Sequence, residues 1–153
     1  MPGAPSRIAM NTTCVFCKIV RSEIPTRFVA QEDKAIAFMD IAPARKGHVL
    51  VIPKHHSESM IDVPQEDLDV VMRLVKRVSM AVKESLQPPG FSVVQLNGVA
   101  SGQTVFHLHF HVIPRHVGDG LAMKWSHETY ATGEIEQYQT RIVESLKTQS
   151  AVS

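Results

Sequence analysis

The chain has 153 residues, 44% of them apolar, with 16 basic and 15 acidic side chains and a formal net charge of +1. That length and apolar fraction suit one globular domain with a sizeable core, and the balanced charge, with no long basic run, excludes nucleic-acid binding by a basic field. There is no apolar run of about 18 residues for a membrane span, and the first seven residues lack the apolar centre of a signal peptide, so the expected compartment is the cytoplasm.

Residues 1–11 are rich in Pro, Gly, Ser, Asn and Thr and are expected to be a disordered extension, with Met10 an alternative start; residues 12–153 are expected to form one domain with a carboxy-terminal tail. Cys14 and Cys17 form a Cys-x-x-Cys pair, which in a reducing compartment points to metal or redox chemistry rather than a structural disulfide. Val15, Phe16, Ile19 and Val20 predict a short helix over 14–20, ended before Ile24-Pro25. Strands at 27–31 and 35–40 flank the polar turn Glu32-Asp33-Lys34, and a third, apolar enough to be central, spans 48–53.

The longest helix is predicted to start after Asp62, with Pro64 in its first turn and Gln65, Glu66 and Asp67 complementing its positive end. Leu68, Val71, Val75, Val78, Val82 and Leu86 recur at helical spacing, while Arg73, Lys76 and Lys83 face water. Pro88-Pro89-Gly90 stops this helix. A strand at 91–95, a small-residue loop at 97–102 and a strand at 105–114 follow. Beyond the irregular Gly118-Asp119-Gly120, one more short helix carries Ile135, Tyr138, Ile142 and Leu146. Strands grouped around separate helices predict an α+β fold with an antiparallel sheet of about five strands.

The chemistry concentrates in residues 102–115. Side chains switch faces at every residue of a strand, so His107, His109 and His111 project from one face and Leu108, Phe110 and Val112 from the other. Same-face neighbours are about 6.6 Å apart at a rise of roughly 3.3 Å per residue. Three imidazoles in such a row serve packing poorly and suit metal ligation or acid/base work. The chain is too short for the His-x-His barrels of metal-dependent hydrolases, which need roughly 250 residues. It also lacks the Gly-x-Ser-x-Gly elbow and the phosphate-binding P-loop. The loop 97–104 offers small residues with amide and hydroxyl donors, and reads either as an anion cradle or as an ordinary tight connection.

The row His107-Leu-His109-Phe-His111-Val-Ile resembles the signature of the histidine triad (HIT) family. Cys14-Val-Phe-Cys-Lys-Ile-Val, Ala37-Phe-Met-Asp-Ile-Ala-Pro and Gly47-His-Val-Leu-Val-Ile-Pro-Lys-His-His agree with it, so the resemblance covers about residues 14–126. Within the family the pattern is similar to the short bacterial members of the branch that includes the purine nucleoside phosphoramidases. The resemblance implies a HIT-like fold and hydrolysis or transfer at the α-phosphate of purine nucleoside monophosphate derivatives, through a nucleotidyl-histidine intermediate. Dinucleoside polyphosphate hydrolysis, or nucleotide binding without catalysis, is the alternative.

By the same resemblance His109 is the nucleophile and His111, Gln103, Thr104, Val105 and Asn97 surround the phosphate, with Gln95 an alternative to Asn97. Asp40 accepts from the ribose hydroxyls; Val15, Phe16, Phe38 and Ile41 line the base slot or pack as core. His48 lies beside the triad, where it orients an imidazole. Two thiolates leave a tetrahedral zinc half-coordinated. The resemblance supplies His56 and His107 as the other ligands, making Cys14, Cys17, His56 and His107 a closed structural site. No organic cofactor is implied. Family members pair as homodimers through the long helix and a sheet edge, forming a continuous sheet, with the tail holding Trp125 reaching toward the partner's site.

Overall fold

The computed structural model describes residues 8–122 and 125–150, and the chain divides into two compact units, Met1–Leu121 and Ala122–Ser153. The first unit contains strands β1 (Phe28–Gln31), β2 (Ala35–Met39), β3 (Val49–Pro53), β4 (Gly90–Gln95) and β5 (Phe110–Arg115), with helices α1 (Val15–Val20) and α2 (Gln65–Leu86). All four strand pairings are antiparallel, in the order β1-β2-β3-β5-β4. The second unit contains α3 (Glu134–Ser150). None of the described helices is long and apolar enough to cross a membrane.

The central strands are buried on both faces, which explains their unbroken apolar sequence. Ala35, Ala37, Val49 and Val51 join Leu108, Phe110 and Val112 in a cluster with Val71, Leu74, Val75, Val78 and Val82 of α2. Ile36, Phe38, Leu50 and Ile52 face the other way and cluster with Phe16 and Ile19 of α1. A one-residue slip would exchange the two sets, and each buried aliphatic contributes roughly 1.5–3 kcal/mol, so register is strongly specified. The predicted stripe of α2 is buried from Val71 through Val82, with Leu68 half-buried at its start. Leu86 departs from expectation: it is 52% exposed and lies over Gly47, where an added Cβ would stand 2.5 Å from Leu86 Cδ1. The φ of +92° is what calls for glycine at position 47, since the exposed Leu86 side chain could move aside.

Most element boundaries move by only one or two residues from those predicted. The histidine strand is the exception, for its ladder begins at Phe110 rather than Val105. Residues 105–107 bend, and the Leu108 N–H donates to Ser57 O at 2.7 Å instead of to a neighbouring strand. Only His111 of the three sits in the ladder, opposite Leu50. The alternation nevertheless holds, since Leu108, Phe110 and Val112 pack toward α2. Of the expected disordered extension, residues 1–7 lie outside the described residues. In the remainder, Ala9 O accepts from His56 N at 2.7 Å and Asn11 N donates to Cys17 Sγ at 3.3 Å.

Candidate active site and metal centre

Cys14 caps α1 and Cys17 occupies its first turn, so the helix start presents both sulfurs to the sheet face that carries the histidines. The ligand atoms of Cys14, Cys17, His56 and His107 all lie within 4.8 Å of one another. Cys17 Sγ is 3.3 Å from His56 Nδ1 and 3.6 Å from His107 Nδ1, while Cys14 Sγ is 3.5 Å from His107 Nδ1. A tetrahedral zinc at about 2.3 Å from sulfur and 2.0–2.1 Å from nitrogen sets sulfur and nitrogen about 3.5 Å apart, so the donor set fits the ion. His107 Nε2 lies 2.8 Å from Pro53 O. A carbonyl can only accept, so Nε2 carries the hydrogen and Nδ1 turns its lone pair to the sulfurs, as a metal ligand must. Burial raises the Cys17 thiol and holds His107 down at about 4.

The same reasoning fixes the other imidazoles. His109 Nδ1 is 2.6 Å from His107 O, so Nδ1 donates and Nε2 keeps its lone pair. His48 Nδ1 accepts from the Ala44 N–H at 3.1 Å, which leaves its Nε2–H to donate to His111 Nδ1 at 2.9 Å. His111 Nε2 therefore carries a hydrogen, ready to donate. Burial pushes His48, His109 and His111 below the ordinary histidine value, His111 to about 4, so all are neutral near pH 7. Asp40 Oδ2, 3.5 Å from His48 Nδ1, pulls the other way on His48, but desolvation outweighs it.

Asp40, His48 and His111 also cluster closely enough to suggest a second metal group. The 2.9 Å between the two imidazole nitrogens is a hydrogen-bond length, shorter than the roughly 3.3 Å that two nitrogens at 2.0–2.1 Å from one tetrahedral ion adopt.

Beside α1 lies a cavity of about 140 Å³ lined by Val15, Phe16, Phe38, Asp40 and Ile41. Phe16 and Phe38 belong to the core and are buried, whereas Val15 and Ile41 form the exposed rim. Phe16 links the cavity to the triad, its ring 5.1 Å from that of His109. A larger groove of about 500 Å³ on the α2 side is lined by residues such as Val29, Val82 and Leu86 and contains none of the triad.

The loop before the histidines differs from expectation. Gln103 is 4% exposed; its Oε1 accepts from Gly98 N at 2.7 Å, and its Nε2 donates to Glu58 O at 2.7 Å and Val105 O at 3.1 Å. Both amide hydrogens are taken, so Gln103 ties Gly98 to the carbonyls of Glu58 and Val105. Asn97 and Gln95, the alternatives for a phosphate contact, are bonded to each other at 2.6 and 2.9 Å, and Asn97 Oδ1 also accepts from Met60 N at 2.8 Å. Thr104 is exposed, and Val105 packs against the α1-side core.

Sequence reasoning missed the backbone partners that set the tautomers: Ala44 N–H, Pro53 O and His107 O. Backbone groups carry no residue signature. It also missed Ile24, Pro25 and Thr26 in the cavity wall, for which the apolar Ile24-Pro25 after α1 was the available signal.

A family model described as the HIT domain matches residues 21–118. An adenosine 5′-monophosphoramidase of Schizosaccharomyces pombe is 38% identical over 136 residues, covering 88% of this chain and 99% of that one. The crystal structure of a HIT family protein from Bacillus anthracis superposes with a TM-score of 0.82 at 33% identity, covering 88% and 97% of the two chains. A zinc-bound histidine triad family protein from Mycobacterium smegmatis superposes with a TM-score of 0.68 at 35% identity, covering 76% and 84%.

Proposed function

The chain belongs to the HIT domain family, and from that premise we propose that it is a purine nucleoside phosphoramidase: a hydrolase acting at the α-phosphate of nucleoside monophosphate derivatives through a nucleotidyl-histidine intermediate. The observation that carries this reading is the His109 tautomer. A neutral, buried imidazole whose Nδ1–H is held by the His107 carbonyl keeps its lone pair on Nε2, where it serves as the nucleophile. In the first step Nε2 bonds to phosphorus as the phosphorus–nitrogen bond to the amine breaks, the departing nitrogen taking a proton from solvent; in the second step water attacks phosphorus, the phosphorus–Nε2 bond breaks, and the proton lost by that water returns to solvent. His111 Nε2–H donates to a phosphate oxygen as charge shifts there. Asp40 at the cavity mouth accepts from the ribose, and the Phe16/Phe38 slot takes the base. Thr104 and the backbone of Val105 complete the phosphate side, while Gln103 holds their loop.

Cys14, Cys17, His56 and His107 hold a structural zinc in this reading, which suits a reducing, cytoplasmic compartment where both sulfurs stay reduced. The ion supplies a cross-link between the amino-terminal turn and the sheet. A homodimer through the outer edge of β4 is part of the same proposal. This strand pairs only with β5 among the described residues, and its Phe91 and Val93 are each 43% exposed. A panel of adenosine phosphoramidates, acyl-adenylates and dinucleoside polyphosphates tests the reading. Turnover is expected on the phosphoramidates; preference for the polyphosphates, or binding without turnover of any of them, overturns it.

A further inference from the structure

The loop that carries the Ala44 N–H is exposed from Ile41 to Pro43 and belongs to no strand. Yet that one N–H decides which nitrogen of His48 carries the proton, and through His48 what His111 presents to a ligand. A group this consequential on an exposed loop needs an anchor outside the loop.

Arg115, the last residue of β5, lies on the same strand face as His111, four residues earlier. Its guanidinium donates to Asp119 Oδ2 at 2.7 Å, Asp119 Oδ1 at 3.1 Å and Ser92 Oγ at 2.9 Å, and also to Leu121 O. Asp119, its side chain only 8% exposed, accepts further from His116 N at 3.2 Å and Leu121 N at 2.9 Å. Arg45 Nε approaches the same Asp119 Oδ2 to 4.0 Å, an ion-pair distance. Gly120 lies close beneath this arginine, where an added Cβ would stand 3.4 Å from Arg45 Nη2. Arg45 also donates through Nη1 to Ala44 O, and its own carbonyl accepts from His48 N at 3.0 Å. The contacts close a ring: β5 to Arg115, Asp119, Arg45, Ala44, His48, His111 and back to β5.

We propose that Asp119 and Arg45 are positioning residues that clamp the 40–48 loop to β5 and keep the Ala44 N–H aimed at His48 Nδ1, so that His111 Nε2 stays a hydrogen-bond donor. Neither touches a reacting atom. Without the clamp, Ala44 swings away and His48 Nδ1 becomes free to take a proton. His48 Nε2 then turns acceptor in part of the population, and His111 loses its fixed tautomer. The kinetic consequence rests on the phosphoramidase reading above; the tautomer consequence does not.

The test is nitrogen-15 NMR of the histidine side chains at neutral pH in wild type, Asp119→Ala and Arg45→Ala, with phosphoramidate kinetics alongside. Wild-type His48 is expected as one tautomer with a bare Nδ1, and both variants as mixtures. Displacement of a catalytic donor by a fraction of an ångström to 1 Å costs about ten- to a hundredfold, so kcat should fall in that range while KM for the nucleotide stays put. The double variant should lose no more than the worse single one, because the two residues act as one device. Arg45→Lys should recover the wild-type tautomer in part. Arg45 is a third exposed, so Arg45→Ala decides the matter even where Asp119→Ala does not fold. An unchanged His48 tautomer in folded Arg45→Ala overturns the clamp, as does a loss of kcat that follows melting temperature alone. If the wild type turns over no substrate, the proposed function fails, while the NMR comparison still decides the clamp.

Discussion

His48 Nε2 stands 2.9 Å from His111 Nδ1, and because His48 Nδ1 already accepts the Ala44 N–H, the hydrogen between the rings belongs to His48. Both rings are neutral in the fold. His111 is held at about 4 by burial and by its neighbours His109 and His48, against an ordinary value of 6.5. The unfolded chain therefore binds more protons than the fold between pH 6.5 and 4, and stability is lost as pH falls through that window. Below pH 4 this contribution is gone entirely. Replacing His111 with Asn should flatten that part of the profile, read as the urea midpoint at pH 7, 6, 5 and 4. Parallel curves for the two proteins would contradict the assignment of a buried neutral His111.

One zinc per chain is expected in protein purified without added metal, measured by elemental analysis. His107 serves twice: its Nδ1 faces the sulfurs and its carbonyl holds His109 Nδ1–H. Replacing Cys14 and Cys17 together with Ser should abolish the zinc and also reduce turnover, because the strand segment that orients His109 loses its tether. Zinc bound with unchanged stoichiometry in that variant would defeat the proposed ligand set.

Much of this was legible because period-2 alternation is a strong signal wherever both faces of a strand are filled. The apolar runs at 35–39 and 49–53, the stripe of α2 and the histidine row each placed their residues on the correct face. The extent of the histidine strand was not legible. Its first half bonds to Ser57 O, a loop carbonyl that local sequence does not announce. The inward bonds of Gln103 were not legible for a related reason. An amide in a small-residue loop looks the same whether it turns out to an anion or in to Glu58 O and Val105 O, and only the path of the 57–60 segment decides.

That inward turn has a measurable consequence. Gln103→Ala strips partners from the Gly98 N–H and the Glu58 carbonyl; both residues are exposed, so water replaces the partners and each lost bond costs about 0.5–1.5 kcal/mol. The variant should lose stability of that order in chemical denaturation, and its nucleotide KM should rise as the loop bearing Thr104 loosens. Full stability with a selective loss of phosphate affinity would instead restore Gln103 to the role of a direct phosphate ligand.

The sharpest division of labour lies between His109 and His111, whose rings are 4.9 Å apart on one face. His109 offers a lone pair at Nε2 and His111 offers a hydrogen at Nε2, so the two should fail differently when removed. His109→Asn keeps a polar side chain of similar reach but has no imidazole nitrogen to form the phosphorus bond. Turnover should fall by on the order of 10³ or more while nucleotide affinity survives. His111→Asn removes one donor to the developing charge, a loss that typically costs about 10²- to 10³-fold, and leaves the covalent route open. Acid-labile, alkali-stable nucleotide should therefore be trapped on wild type and, more slowly, on His111→Asn, and never on His109→Asn. Near-normal turnover by His109→Asn, or phosphorus mapped to His107 or Thr104, would reverse the assignment of nucleophile. The tautomers favour His109 because His107 commits its bare nitrogen to the sulfurs and His111 commits its own to His48. Among the three, only His109 has a lone pair that no neighbour already uses.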